Sequence, residues 1–135
     1  MYDLSVKFGS LFGRSLLAII FLVSGINKMR TFESTASWME SYRVPDILLP
    51  VVIAFEILAA TALVMGWKTR ITALLLAGFC MLTAVIFHSD FESQIGTILF
   101  MKNLAIAGGF LILATNGPGQ FSLDNRRKAT QSQGR

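Results

Sequence analysis

The chain predicts an all-α membrane protein, a bundle of four transmembrane helices with a short interfacial helix between the first and the second. Three observations carry this reading. Apolar runs at 11–29, 48–66, 71–87 and 98–115 fill most of the 135 residues, and a helix that crosses the hydrocarbon core needs about 20 mainly apolar residues at about 1.5 Å each. The composition, 53% hydrophobic and 15% charged with a mean hydropathy of +0.60, is too apolar for a water-soluble domain of this length. Charged residues almost vanish from the runs and gather in the short segments beside them, where they set topology.

Each element follows from local signals. The first helix covers about 9–29. Its stretch 15–26 has the length of a signal-peptide core, but Asn27-Lys28-Met29-Arg30 offers no small-x-small cleavage site and Arg14 lies too deep for a basic leader. Residues 31–45 set Phe32, Ala36, Met39 and Tyr42 at helical spacing, with Trp38 beside them and Glu33, Glu40 and Arg43 interspersed. That pattern suits a helix lying in the interface and ended by Pro45. The second helix, about 47–66, leads into the tight turn Gly66-Trp67-Lys68-Thr69-Arg70, with Trp67 in an aromatic-belt position. The third covers about 70–88, and a polar connection with Asp90, Glu92 and Gln94 leads to the fourth, about 96–115. Asn116-Gly117-Pro118-Gly119 stops that helix, because proline cannot continue the ladder. The bundle forms one domain, 1–124, followed by a polar, basic, disordered cytoplasmic tail, 125–135.

Four spans put both termini on one face. That face collects Lys7, Lys68, Arg70, Arg126, Arg127, Lys128 and Arg135, against Lys28, Arg30 and Arg43 opposite. The asymmetry predicts cytoplasmic termini, with the Trp38 and His88 loops outside.

Polar residues inside the runs are the candidate site. Glu56 sits near the middle of the second helix, where a charge costs about 2.5–3.5 kcal/mol on insertion scales, so it must face the bundle interior and find a partner or a proton. Ala59 and Ala60 lie one turn along on its face; on the fourth helix Lys102 shares a face with Ala105 and Gly109, and Asn103 follows directly. By depth Glu56 and Lys102 lie about 2 Å and about 7 Å to the outer side of the midplane, a gap a lysine spans, so Lys102 is the expected partner. Arg14, on a stripe with Ala18, Phe21, Gly25 and Lys28, ranks second and reads mainly as an anchor snorkelling to the cytoplasmic interface. Ser24, Asn27, Lys28 and His88 cluster at the outer mouth. The Glu56–Lys102 pair reads equally as a structural ion pair and as a ligand or proton site. His88 reads first as an interfacial side chain and Cys80 as a small core residue.

The inventory also excludes. The net charge of +4 and pI near 9.6 reflect topology signals beside spans, so nucleic acid is not a partner. One histidine cannot provide bis-histidine haem ligation and one cysteine cannot ligate an iron–sulfur cluster; no glycine-rich nucleotide loop appears. No metal site and no intrinsic cofactor are expected, and no catalytic residue is assigned.

Several segments together resemble one family. Arg14 with Ile20-Phe21-Leu22-Val23-Ser24-Gly25-Ile26-Asn27-Lys28, then Phe55-Glu56-Ile57, Gly66-Trp67-Lys68-Thr69-Arg70, Ile86-Phe87-His88, Met101-Lys102-Asn103-Leu104 and Gly117-Pro118-Gly119-Gln120-Phe121-Ser122-Leu123-Asp124 resemble the DoxX family of small bacterial inner-membrane proteins. The family usually carries Tyr where Phe121 stands. The resemblance implies a four-helix bundle in the bacterial inner membrane. The family is named for a subunit of a terminal quinol oxidase and thiosulfate:quinone oxidoreductase system, and some members belong to complexes that handle oxidative or thiol stress. Most have no assigned reaction. By this resemblance the chain is a membrane subunit of a quinone-linked oxidoreductase or oxidative-stress complex, in which Glu56, Lys102, Asn103 and His88 form a pocket for a quinone head group. The alternatives are a non-catalytic scaffold or assembly factor whose buried charges only specify packing, or a small proton or solute pathway. The bilayer is the expected partner, and a redox protein or a second copy of the chain is a candidate second one.

Overall fold

The computed structural model describes residues 2–134; Met1 and Arg135, the latter one of the cations counted on the terminal face, lie outside the described residues. The elements are α1 (Tyr2–Arg30), α2 (Phe32–Ser41), a 3-10 turn (Asp46–Leu48), α3 (Leu49–Met65), α4 (Thr69–Phe87), α5 (Gln94–Asn116) and α6 (Leu123–Gln133). Four of these, with the turn running into α3, are long and apolar enough to cross a membrane. The expected spans are all present. α1 begins seven residues before the expected start near residue 9, because Asp3 and Lys7 pair one turn apart and Leu4, Val6 and Phe8 carry the apolar pattern back along the exposed face of the helix. α2 occupies the place of the interfacial helix but ends before Pro45. Arg43 takes the left-handed conformation (φ 59°), and the Arg43 and Val44 N–H groups donate to the Glu40 and Met39 carbonyls, a Schellman closure without glycine.

The spans form a ring in the order α1, α3, α4, α5. α1 packs chiefly on α3 and α4 chiefly on α5, and looser α3–α4 and α1–α5 contacts close the ring. In lipid, helices associate by close packing rather than by the hydrophobic effect. The interior accordingly carries Ala18, Ala59, Ala60, Ala73, Ala77, Ala84, Ala107 and Ala114, with Phe21, Leu63, Leu76 and Phe110 filling the wider gaps. Gly25 shows the need most sharply. A Cβ there would lie 2.7 Å from Ile57 Cγ1, so only glycine lets α1 approach α3 at this height. A second, smaller core of Met39, Leu49 and Ile53 pins α2 across the end of the bundle opposite the termini.

The end that carries the termini is closed by one polar lattice, and here the structure corrects the reading of Arg14. Its side chain is 2% exposed and neither snorkels nor meets Glu56. Nη1 donates to the Pro118 carbonyl, and Nη2 donates to Phe121 O at 2.8 Å and Val64 O at 3.3 Å. The physical reason is supply of acceptors. Carbonyls of the irregular segment after α5 have no helical partners and fold back over the bundle, where a buried guanidinium satisfies several at once. Arg70 closes the C-terminus of α5 in the same way, donating to Ala114 O and Thr115 O. Asp124 grips the α3–α4 turn, accepting from Lys68 N at 2.7 Å and Thr69 N at 2.9 Å, while its own N–H donates to Gly66 O. Gly66 (φ 70°) makes the turn between them. The tail beyond is helical rather than disordered, because the Ser122 Oγ accepts from Asn125 N and caps α6.

Candidate functional site

Glu56 is 2% exposed on the interior face of α3, and its partner is Lys28 rather than Lys102. Lys28 Nζ donates to Oε1 at 2.9 Å and to Oε2 at 3.0 Å, and to Ser24 Oγ at 2.6 Å; Ser24 Oγ in turn donates to Oε1 at 3.3 Å. Ser24 and Lys28 stand one turn apart on α1, so the close approach at Gly25 delivers both to the carboxylate. All three ammonium protons are spent on this cluster. Lys102 is exposed on α5. The interior stripe of that helix is Asn103, Ile106, Ala107, Phe110, Leu113 and Ala114, and Lys102 lies about 80° from the middle of it, on the exposed side. Its long stem can carry the ammonium to the interface instead.

The cluster borders a cavity of about 330 Å³ between the two helix pairs, at the end away from the termini. That volume lies within the range of small-ligand sites. Phe21, Phe79 and Cys80 reach it from the main core, while Trp38 and Met39 of α2 reach it from the opposite side. α2 is held over it by rings: Trp38 stacks on Phe87 with centroids 4.6 Å apart, and Tyr42 meets Phe87 edge-on at 5.2 Å. The walls are mostly apolar, and the polar side chains reaching them include Ser24, Lys28, Glu56, His88 and Asn103.

The residues singled out from sequence therefore divide. Glu56, Lys28, His88 and Asn103 meet at the cavity; Lys102 and Asn27 are exposed beside it, and Arg14 belongs to the lattice at the other end. Among the described residues no protein group hydrogen-bonds to the Asn103 carboxamide or to the His88 ring. Burial holds the His88 imidazole below its usual pKa, so it is neutral at pH 7 and presents one N–H donor and one acceptor. Sequence reasoning missed Ser24 as a carboxylate partner and Trp38 and Met39 as cavity walls. The signal for Ser24 was present in its four-residue spacing from Lys28 beside a packing glycine. Among the described residues no group of three or more His, Cys, Asp or Glu side chains is placed to hold a metal ion.

Four candidate spans joined by short segments and a polar cluster buried between helices define a small multi-pass membrane protein, and the comparisons make that class specific. The DoxX family profile matches residues 9–89. Inner membrane protein YqjF of Escherichia coli (strain K12) is 45% identical over 116 residues, covering 86% of this chain and 89% of the relative. Inner membrane protein YphA of the same organism is 39% identical over 123 residues, covering 86% of this chain and 88% of the relative. No solved structure matches significantly. The chain belongs to the DoxX family.

Proposed function

We propose that this protein is the quinone-binding membrane subunit of an oxidoreductase, with both termini in the cytoplasm. The observation that carries the reading is the cavity beneath α2, where apolar and aromatic walls meet two polar side chains, Asn103 and His88, whose hydrogen bonds are unspent. An amphipathic ring with oxygen substituents and a lipid tail fits that chemistry. When bound, such a ring supplies two-electron, two-proton chemistry. The Asn103 N–H and the neutral His88 N–H would hold it by hydrogen bonds to its oxygens. Glu56, whose carboxylate is held in place by Lys28 and Ser24, lines the same cavity and would be the proton acceptor there. The ring's electrons would go to an acceptor on a partner subunit, since one histidine and one cysteine furnish neither bis-histidine haem ligation nor the ligands of an iron–sulfur cluster.

The orientation rests on the cations at the terminal end, Lys7, Lys68, Arg70, Arg126, Arg127 and Lys128, against Lys28, Arg30 and Arg43 at the other. A C-terminal reporter that is active only outside the cytoplasm contradicts it.

Binding is testable on the purified protein in detergent by titrating decylubiquinone and following tryptophan emission. Trp38 lines the cavity and Trp67 stands at the other end of the bundle, so Trp38→Phe isolates the signal. Saturable quenching that Trp38→Phe abolishes and Asn103→Leu weakens about tenfold, the worth of one lost hydrogen bond, is the expected result. Quenching that never saturates, or that is indifferent to Asn103→Leu, favours a scaffold whose buried charges serve packing alone.

A further inference from the structure

A second concavity lies at the other end of the molecule, outside the quinone reading altogether. Its volume is about 520 Å³, and it is formed where α4 begins, α5 ends and α6 departs. Lys68, Arg70, Arg127 and Lys128 line it, with Asn116 and Asn125 among the uncharged polar groups. Asp124 is the one acidic group among its lining residues, and both its oxygens are engaged by the Lys68 and Thr69 N–H groups. Four cations thus face one shallow basin against a single, already committed carboxylate.

Position identifies what such a basin meets. α4 and α5 are membrane-crossing helices, and their ends at Thr69 and Asn116 stand where a span leaves the hydrocarbon. Trp67, with Lys68 Nζ 5.3 Å from its ring centre, lies at the same height in the position of an aromatic belt. The basin is therefore level with lipid headgroups. Basic pockets between spans at this depth are suited to phosphate diesters. Arg70 cannot be the whole explanation, because part of its guanidinium is committed to Ala114 O and Thr115 O. Lys68, Arg127 and Lys128 make no ion pair among the described residues.

We propose that this basin is a binding site for the headgroup of an anionic phospholipid, recognised by Lys68, Arg127 and Lys128 with Arg70 beneath them. The site joins α6 to the bilayer surface and so accounts for a polar helix that is held to the bundle only at its first residues and has none fully buried.

The test is native mass spectrometry of the full chain released from micelles containing equal amounts of phosphatidylglycerol and phosphatidylcholine. Each lysine or arginine near an anionic surface is worth about 1 kcal/mol, or about fivefold in affinity. The intact protein should retain phosphatidylglycerol in preference. The triple change Lys68→Gln, Arg127→Gln and Lys128→Gln should reduce that preference at least tenfold, about 1.4 kcal/mol. The charge-matched control Arg30→Gln, Arg43→Gln and Lys102→Gln, at the other end, should leave it in place. Equal retention of the two lipids by the intact protein, or equal loss in both triple variants, overturns the proposal. Displacement of phosphatidylglycerol by inorganic phosphate at equal concentration also overturns it, because the basin then reads a free anion and not a lipid. Both triple variants keep Arg14, Arg70 and Asp124, so the lattice that closes the bundle end is untouched.

Discussion

At the scale of single residues the structure turns on Glu56 and the cation that meets it. A carboxylate among packed helices needs a partner at a fixed place, and α1 provides Lys28 and Ser24 because Gly25 brings that helix against α3. Removing one member of a fully buried pair costs about 3–5 kcal/mol; Lys28 keeps 25% of its side chain exposed, so about 2 kcal/mol is expected here. Glu56→Gln and Lys28→Met should each destabilise by that amount on unfolding in detergent, and the double variant should cost less than their sum. Lys102→Met should fall within about 0.5 kcal/mol of the parent, as exposed changes do. A double cycle that couples Glu56 to Lys102, with Lys28 additive, means that α5 is rotated from the orientation described. The importance of Glu56 was legible from hydropathy alone, since a charge in an apolar run demands an explanation. Its partner was not. Depth allowed Lys102, and choosing between candidates required the rotation of α5, which small residues on more than one face of that helix left open.

At the scale of elements, two turns and a return segment lock the terminal end. Gly66-Trp67-Lys68-Thr69-Arg70 and the residues 117–124 are far apart in sequence, yet Asp124 stands in for the N-terminal cap that Lys68 does not itself supply to α4. Burial pushes the Asp124 carboxyl up, but the Thr69 and Lys68 N–H groups and nearby Arg127 outweigh it, so it titrates below its ordinary 3.8. The folded carboxyl therefore holds its proton less readily than the unfolded one. Its contribution is complete above pH 3.8 and is lost as the pH falls through the lower folded value. Asp124→Asn should lower stability by about 1 kcal/mol near neutrality and remove the part of the acid dependence that lies below pH 4. An unchanged acid limb would assign that dependence to other carboxylates. The turn itself was readable from its glycine and the stop of α5 from Gly117-Pro118-Gly119, whereas the fate of Arg14 was not. Two of its partners are backbone carbonyls of a loop more than a hundred residues away and the third, Val64 O, belongs to α3, and nothing in the sequence of α1 points to them.

At the scale of the whole molecule, the segments that carry the family resemblance sort themselves by end. Arg14, the α3–α4 turn and the residues 117–124 build the terminal lattice, while Ser24, Lys28, Glu56, His88 and Asn103 surround the cavity under α2. One end is fastened by the lattice and the other encloses the cavity. The four spans and the interfacial helix were legible because lipid imposes length and hydropathy on every crossing segment; a pocket with Glu56, Asn103 and His88 was expected too, but its α2 wall and its place in the looser seam between two tight helix pairs were not. The claim that this seam holds a quinone is tested most directly by photolabelling the protein in native membranes with a short-chain azidoquinone and mapping the adducts by peptide mass spectrometry. Labels confined to the cavity-facing parts of α1, α2, α3, α4 and α5, and suppressed by excess decylubiquinone, are the predicted result. Labels spread over the lipid-facing residues of the spans, with no competition, would contradict it.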